Sequence, residues 1–272
     1  MSLFRKISKF IRALSVALKN PASLNALLDD VSEHEQTFKA ATGLIDGLPQ
    51  LRFSDLLPDE GISVEPFAFL SGGSMPTDLA LIRLFAKRIE AKTYFEIGTW
   101  RGESVMQAAA CIPNCCTLNL SVAEMQRRNW DAAYINMHGH FIQNHPSVKR
   151  LEGDSRNFDF GAFKGKIDLV FVDGDHHFDS VKSDTRSAFE LIEHERGIIL
   201  WHDYASEPEN VRWNVLRAIW EVTPEHCRKH LYAVSNSLCA VYYPYTDLRS
   251  EKRVYPANPG NGFTVRIEKR QS

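Results

Sequence analysis

Residues 93–102, Thr-Tyr-Phe-Glu-Ile-Gly-Thr-Trp-Arg-Gly, constrain the fold more than any other stretch of the chain. A short apolar, aromatic-rich run ends in an acid and a glycine, and a second glycine four residues later opens a helical pattern through Val105 and Ala109. This order reads as strand, tight loop, helix. Gly98 would let backbone approach a ligand closely, Gly102 would let the helix start near the strand, and the first helical amides could receive an anion. Glu96, at the carboxyl end of the strand, is expected to face the same crevice. An ordinary βα turn is the competing reading, and the downstream sequence argues against it.

Beyond Gly102 the elements alternate. Cys115 to Leu120 reads as a strand, Ser121 to Asn144 mostly as a helix capped by Ser121 with Glu124 three residues on, and Val148 to Leu151 as a short strand before Gly153-Asp154-Ser155. Ile167 to Asp173 is the clearest buried strand and Phe178 to Ile192 the clearest amphipathic helix, with Gly197 to Trp201 the next strand. Ser206-Glu-Pro-Glu209 has the form of a capping box starting a helix through Val211, Val215, Ile219 and Val222. Leu231 to Val234 and Leu238 to Tyr243 read as a closing antiparallel pair around Asn236-Ser237. Repeated βα units predict an α/β fold with a mostly parallel sheet and helices on both faces. Ligands should then sit at the carboxyl ends of the strands.

Upstream, residues 3–19 form a basic amphipathic pattern: Leu3, Ile7, Phe10, Leu14 and Leu18 share a face, and no acid opposes Arg5, Lys6, Lys9, Arg12 and Lys19 before Asp29. Packing on its own domain, self-association as a homo-oligomer and peripheral contact with an anionic membrane all fit this pattern. A second helical stretch runs from Pro21 and Ser23 through Phe38 toward Gly43. Residues 48–75 are richer in turn residues, and Ser71-Gly72-Gly73-Ser74 reads as a linker or as a flap on the substrate side. A helix with apolar positions Leu79, Ile82, Phe85, Ala86 and Ile89 then starts at Pro76. The expected division is an N-terminal helical appendage and linker over 1–75, an α/β domain over 76–245 and a tail over 246–272.

A formal net charge of −2 gives no global case for nucleic acid. Five cysteines without a paired framework point to a reducing, cytoplasmic compartment. No run approaches the roughly 20 apolar residues of a membrane span.

Phe95-Glu-Ile-Gly-Thr-Trp-Arg-Gly102, Glu152-Gly-Asp-Ser155, Asp168-Leu-Val-Phe-Val-Asp-Gly-Asp-His-His177 and Ile198-Ile-Leu-Trp-His-Asp-Tyr204 together resemble the motifs of class I S-adenosylmethionine-dependent methyltransferases. Within that superfamily they are most similar to the branch carrying Asp-Gly-Asp-His, which includes cephalosporin-hydroxylase-like and sugar O-methyltransferase-like proteins. The resemblance covers roughly Pro76 to Tyr243 and implies a Rossmann-like sheet binding S-adenosylmethionine. Carried over by position, Glu96, Gly98, Thr99 and Gly102 would hold the amino-acid end of the cofactor. Asn119 stands where the family usually places a ribose-binding acid, Asp154 and Ser155 would meet the adenine, and Asp173 closes the cofactor site.

The chemistry implied is O-methylation of a small-molecule acceptor, a sugar or a glycosylated or lipid-linked metabolite. Asp173, Asp175, His176 and His177 leave one strand end, and His202 and Asp203 its neighbour. An alcohol must lose its proton, and histidine suits that role. His176, three positions after the strand-end acid, is the first choice of base and His202 the second, with Asp175 grouped beside them; His177 is expected to cap the Phe178 helix. The resemblance also implies a divalent cation, Mg²⁺ or Mn²⁺, held by Asp173, His202 and Asp203. Two other classes remain open: an NAD-dependent oxidoreductase, disfavoured by Glu96 in a glycine position, and a non-catalytic protein retaining the fold.

Overall fold

The computed structural model describes residues 31–143, 145–257 and 262–269, together with Ile7 and Ser15. The basic pattern of residues 3–19 and the start of the second helix lie outside the described residues, except that Ile7 and Ser15 are helical. The chain forms two compact units, Met1–Gly43 and Leu44–Ser272. In the first, helix α1 (Val31–Thr42) carries a Lys39–Glu35 pair one turn apart at 2.6 Å.

The second unit holds a nine-stranded sheet. In chain order its strands are β1 (Gln50–Leu51), β2 (Thr93–Ile97), β3 (Asn114–Asn119), β4 (Val148–Glu152), β5 (Leu169–Val172), β6 (Ile198–Trp201), β9 (Leu231–Val234), β10 (Ala240–Tyr242) and β11 (Ser250–Glu251). A two-stranded ribbon, β7 (Ala205–Glu207) and β8 (Asn210–Val211), stands apart. The spatial order is β11-β1-β9-β10-β6-β5-β2-β3-β4. From β6 to β4 every pairing is parallel, whereas β10 enters antiparallel to both β6 and β9. This is the Rossmann-like arrangement expected from the sequence, mostly parallel with a closing antiparallel strand. The strand order reverses between β2 and β5, where open α/β sheets form their ligand crevice.

β5 and β6 are buried throughout, which is why they read as unbroken apolar runs. Leu169 and Phe171 of β5 and Ile198 and Leu200 of β6 join one core with Leu79 and Phe85 of helix α2 (Pro76–Arg88) and Val105 of α3 (Glu103–Ala109). Alternate residues point the other way. There Trp201 Nε1 donates to Thr185 of α6 (Phe178–Leu191) at 2.9 Å, and the indole meets Phe189. Helices therefore cover both faces.

Three local readings are corrected. The helix expected over 121–144 is two short ones, α4 (Val122–Arg127) and α5 (Ala132–Met137), because Asn129 takes φ 58° and breaks the run before Asp131 caps the second. Ser206-Glu-Pro-Glu209 caps no helix: Ser206 Oγ accepts from Asn210 Nδ2 at 2.8 Å across the β7–β8 ribbon, and α7 (Trp213–Val222) starts only after it. Residues 48–75 are more than a connection, since Gln50–Leu51 pairs parallel with β9. The sheet thus takes in residues on both sides of the 76–245 span. Among the described residues no helix is long and apolar enough to cross a membrane.

Candidate active site

A cavity of about 690 Å³ opens at the carboxyl ends of β2 to β6. Gly98, Asn119, Gly153 to Ser155, Asp173 and His202–Asp203 all line it, each at a strand end, together with Thr99, Gly102, Asp175 and His176. All of the sequence-expected site residues except Glu96 therefore reach one space.

Glu96 is corrected. Its side chain is wholly buried beneath the cavity floor, accepting from Tyr94 Oη at 2.8 Å and Thr117 Oγ1 at 2.8 Å, with Ser104 a further donor. Burial pushes its carboxyl up to about 8 against those hydrogen bonds. A β-strand alternates its faces, and position 96 falls on the inward one. Its influence reaches the cavity indirectly: Thr117 donates to Glu96 and so accepts from Thr99 at 2.6 Å, and Thr99 lines the wall.

Asp154 is engaged on both oxygens. Arg156 bonds it through its backbone N–H and guanidinium, and Arg128 adds a bond at 2.9 Å. The Arg156 guanidinium is the main reason its carboxyl lies far below the usual range. Asn119 Nδ2 lies 3.0 Å from His138 Nδ1, so the amide donates to a ring that burial keeps neutral by lowering its pKa. His138 Nε2 then carries the hydrogen, and it has no protein partner. Trp100 Nε1 is likewise buried and unpartnered. Both nitrogens are buried within the cavity wall rather than open to it.

The sequence reading passed over an aromatic wall. Trp100 stacks on Tyr134 with centroids 4.2 Å apart, and Trp130 and His138 complete the group. Positions 130, 134 and 138 are spaced by four in the sequence, although only Tyr134 lies within α5. Arg101 and Glu103 were also missed: this buried pair at 3.0 Å ties the 68–74 segment to α3, Arg101 Nη1 donating to the Ser71 carbonyl and Glu103 Oε1 accepting from Ala68 N. Gly72, Gly73 and Ser74 consequently form part of the cavity wall.

At the ends of β5 and β6, His202 is 8% exposed and surrounded by acids. Nδ1 lies 3.1 Å from Asp173 Oδ1 and 3.2 Å from Asp203 Oδ2, and Nε2 lies 3.3 Å from Asp78 Oδ2. Nδ1 has both carboxylates at ion-pair distance, yet is aligned with neither for a hydrogen bond. Distance governs the electrostatics here and alignment governs the bonding, so Nδ1 is attracted but not satisfied. Burial alone would lower the imidazole pKa; the charges of Asp173, Asp203 and Asp78 around the ring override burial and raise it well above the ordinary value. Asp203 sits at φ 59°, a conformation non-glycine residues rarely hold, and Arg212 pairs with its other oxygen at 3.3 Å. One ligand atom from each of Asp173, His202 and Asp203 falls within 4.8 Å of the others, a mixed oxygen and nitrogen set that fits a divalent cation.

Asp78 was not anticipated. It lies at the third position of α2, where it accepts from Met75 N at 2.7 Å, but its second oxygen takes Leu238 N at 2.8 Å. Asp175 also has a different place from the one expected. Its carboxylate accepts from Ser180 Oγ at 2.8 Å and from His177 N at 3.2 Å and contacts the His177 ring, which makes it the group that ties down the start of α6. His177 occupies the cap position without a side-chain capping bond. His176 is exposed on the cavity rim, its ring parallel to that of His177 and its carbonyl accepting from Asn214 Nδ2 at 3.2 Å.

Residues 95–204 match the family model of a methyltransferase domain. That span contains every cavity-lining strand end from Gly98 to Asp203. Over 127 residues the chain is 28% identical to an uncharacterised protein of Acanthamoeba polyphaga mimivirus, covering 45% of this chain and 54% of that protein. The chain spans about half the length of this curated relative. Among solved structures it is similar to an O-methyltransferase from Bacillus cereus in complex with SAH, at TM-score 0.41 and 16% identity over 81% of this chain and 93% of that one. It is also similar to the SAH-bound methyltransferase PaMTH1 of Podospora anserina, at TM-score 0.42 and 16% identity over 84% and 95%. Likeness at this distance says nothing of what this chain acts on.

Proposed function

We propose that the protein is an S-adenosylmethionine-dependent O-methyltransferase acting on a small hydroxylated acceptor, a sugar or a glycosylated or lipid-linked metabolite, in the cytoplasm. The observation that carries this reading is the cavity at the β2–β5 crossover, with an exposed histidine and a carboxylate cluster on its rim, inside the segment that matches a methyltransferase domain. S-adenosylmethionine, when bound, supplies a methyl group on a sulfonium, which an oxygen nucleophile displaces as the carbon–sulfur electron pair returns to sulfur.

The chain's own residues have separable tasks. The Gly98–Gly102 loop, Asn119 and the aromatic wall of Trp100, Trp130, Tyr134 and His138 fit the cofactor. Asp173 faces the same space and supplies negative charge for its cationic end. His176 takes the hydroxyl proton at an imidazole nitrogen, leaving the acceptor oxygen nucleophilic. The 71–74 segment excludes water from the acceptor side and orients it. Mg²⁺ or Mn²⁺ would be held by Asp173, His202 and Asp203, where it would polarise the acceptor hydroxyl and lower its pKa.

Calorimetric titration of the purified protein with S-adenosylmethionine, S-adenosylhomocysteine and NAD tests the cofactor assignment. Binding of the first two without the third supports it; binding of NAD alone would overturn it.

A further inference from the structure

His194, His226 and Cys227 meet at the end of the sheet opposite the cavity. α6 runs against the strands, so the turn after Leu191 lies beside the start of β6, and Tyr242, paired with Ile199, brings β10 to the same place. One nitrogen of each imidazole and Cys227 Sγ lie within 4.8 Å of one another. Nothing in the methyl-transfer reading uses these groups.

The surroundings are built as metal sites are built. His194 Nε2 lies 3.1 Å from the Phe189 carbonyl, a donor position that leaves Nδ1 as the basic nitrogen and fixes the ring. The Tyr242 hydroxyl donates to the His194 carbonyl and sits 3.4 Å from Cys227 Sγ, bracing the turn and the thiol together. Cys227 is fully buried while His226 is exposed, so the thiol is shielded and the entry side is imidazole.

We propose that His194, His226 and Cys227 bind a zinc ion, with a water completing the tetrahedron. A thiolate with two imidazoles is a borderline-soft set that suits zinc and excludes magnesium and calcium, which take oxygen ligands. On binding, the Cys227 S–H bond breaks, its electron pair becomes the zinc–sulfur bond and the proton passes to solvent; no oxidation is involved. The ion would fasten the Glu225–His230 turn to the end of α6. Its role is structural, remote from methyl transfer, and it stands whether or not the methyltransferase reading does.

Cobalt(II) titration of the metal-stripped full chain tests this, because a thiolate ligand gives a sulfur-to-cobalt charge-transfer band that the all-oxygen-and-nitrogen cluster at Asp173 cannot give. We expect the band to saturate at one cobalt per chain, to be bleached by stoichiometric zinc and to vanish in Cys227→Ser. His226→Ala changes an exposed side chain and should fold; its zinc affinity should fall by ~100-fold or more, with loss of the zinc-induced rise in Tm seen for the wild type. No band in the wild type, a band that survives Cys227→Ser, or unchanged zinc affinity in His226→Ala would each overturn the site.

Discussion

A β-carbon at position 98 would stand 2.0 Å from the carbonyl oxygen of Asp173, so the ends of β2 and β5 meet through backbone alone. Gly98 also holds φ 97°, which side chains disfavour. Gly98→Ala should therefore destabilise the fold by more than ~1–3 kcal/mol, the usual cost of a strained backbone by itself, because β5 must also move. Urea unfolding measures the first effect. Calorimetry should show S-adenosylmethionine binding lost with it.

Glu96 gives a pH signature. Its folded pKa of about 8 lies above the ordinary 4.5, so the folded chain holds a proton that the unfolded chain releases across this interval. Stability from this group is complete below pH 4.5, declines as pH rises, and is level again above about 8. Glu96→Gln removes that slope. The difference between mutant and wild-type urea midpoints should move in favour of the mutant from pH 5 to pH 8; a constant difference would mean that Glu96 is ionised in the fold.

His176 is exposed on the rim and holds up no buried network through its ring, which makes its replacement informative. His176→Ala should lower turnover by ~10²–10⁴-fold while leaving S-adenosylmethionine affinity and Tm unchanged. Single-turnover assays separate the two quantities. An unaltered rate would move the proton acceptor elsewhere, with His202 disfavoured because it is buried among three acids.

The cluster at Asp173, His202 and Asp203 makes a cation testable by removal. A chelator should abolish turnover, and magnesium or manganese should restore it. Chelated protein should still bind S-adenosylmethionine, since the loop at Gly98 and the aromatic wall do not depend on the ion. Turnover that persists through chelation would leave the acids as partners of a charged His202 only.

Asp78 answers to a different measurement. It satisfies Met75 N and Leu238 N and faces His202 Nε2 from inside the core. Asp78→Ala leaves two part-buried amides and His202 Nε2 without their acceptor and should cost ~3–5 kcal/mol, as breaking a buried ion pair does. Asp78→Asn keeps one acceptor and should recover part of that loss in a denaturation series.

The strands were legible because β5 and β6 are buried on both faces and so carry uninterrupted apolar residues that no surface element can. The strand-end positions of Gly98, Asp154, Asp173 and His202 followed from the same runs. What misled was local: Ser206 and Glu209 satisfy a capping pattern that four residues can form by chance, and Asn129 looks like any polar helix residue until its backbone turns left-handed. Asp78 could be read as an acid in the first turn of a helix, but nothing in the chain around it marks its reach to residues 202 and 238. Glu96 was misplaced because the alternation of a five-residue strand decides which side is inward, and its neighbours are apolar on both sides.

The antiparallel entry of β10 between β6 and β9 has a consequence for the rim of the cavity. Leu238, just before β10, supplies an amide to Asp78, which faces His202, which stands between Asp173 and Asp203. These groups come from four places spread over more than half the chain, and the last of them is set by β10, the strand between β9 and β6. Contacts of such sequence separation carry a loop-closure cost that slows folding. Without Leu238 the Asp78 Oδ1 would lack its amide donor, so the strand that closes the sheet also completes the hydrogen bonding behind His202.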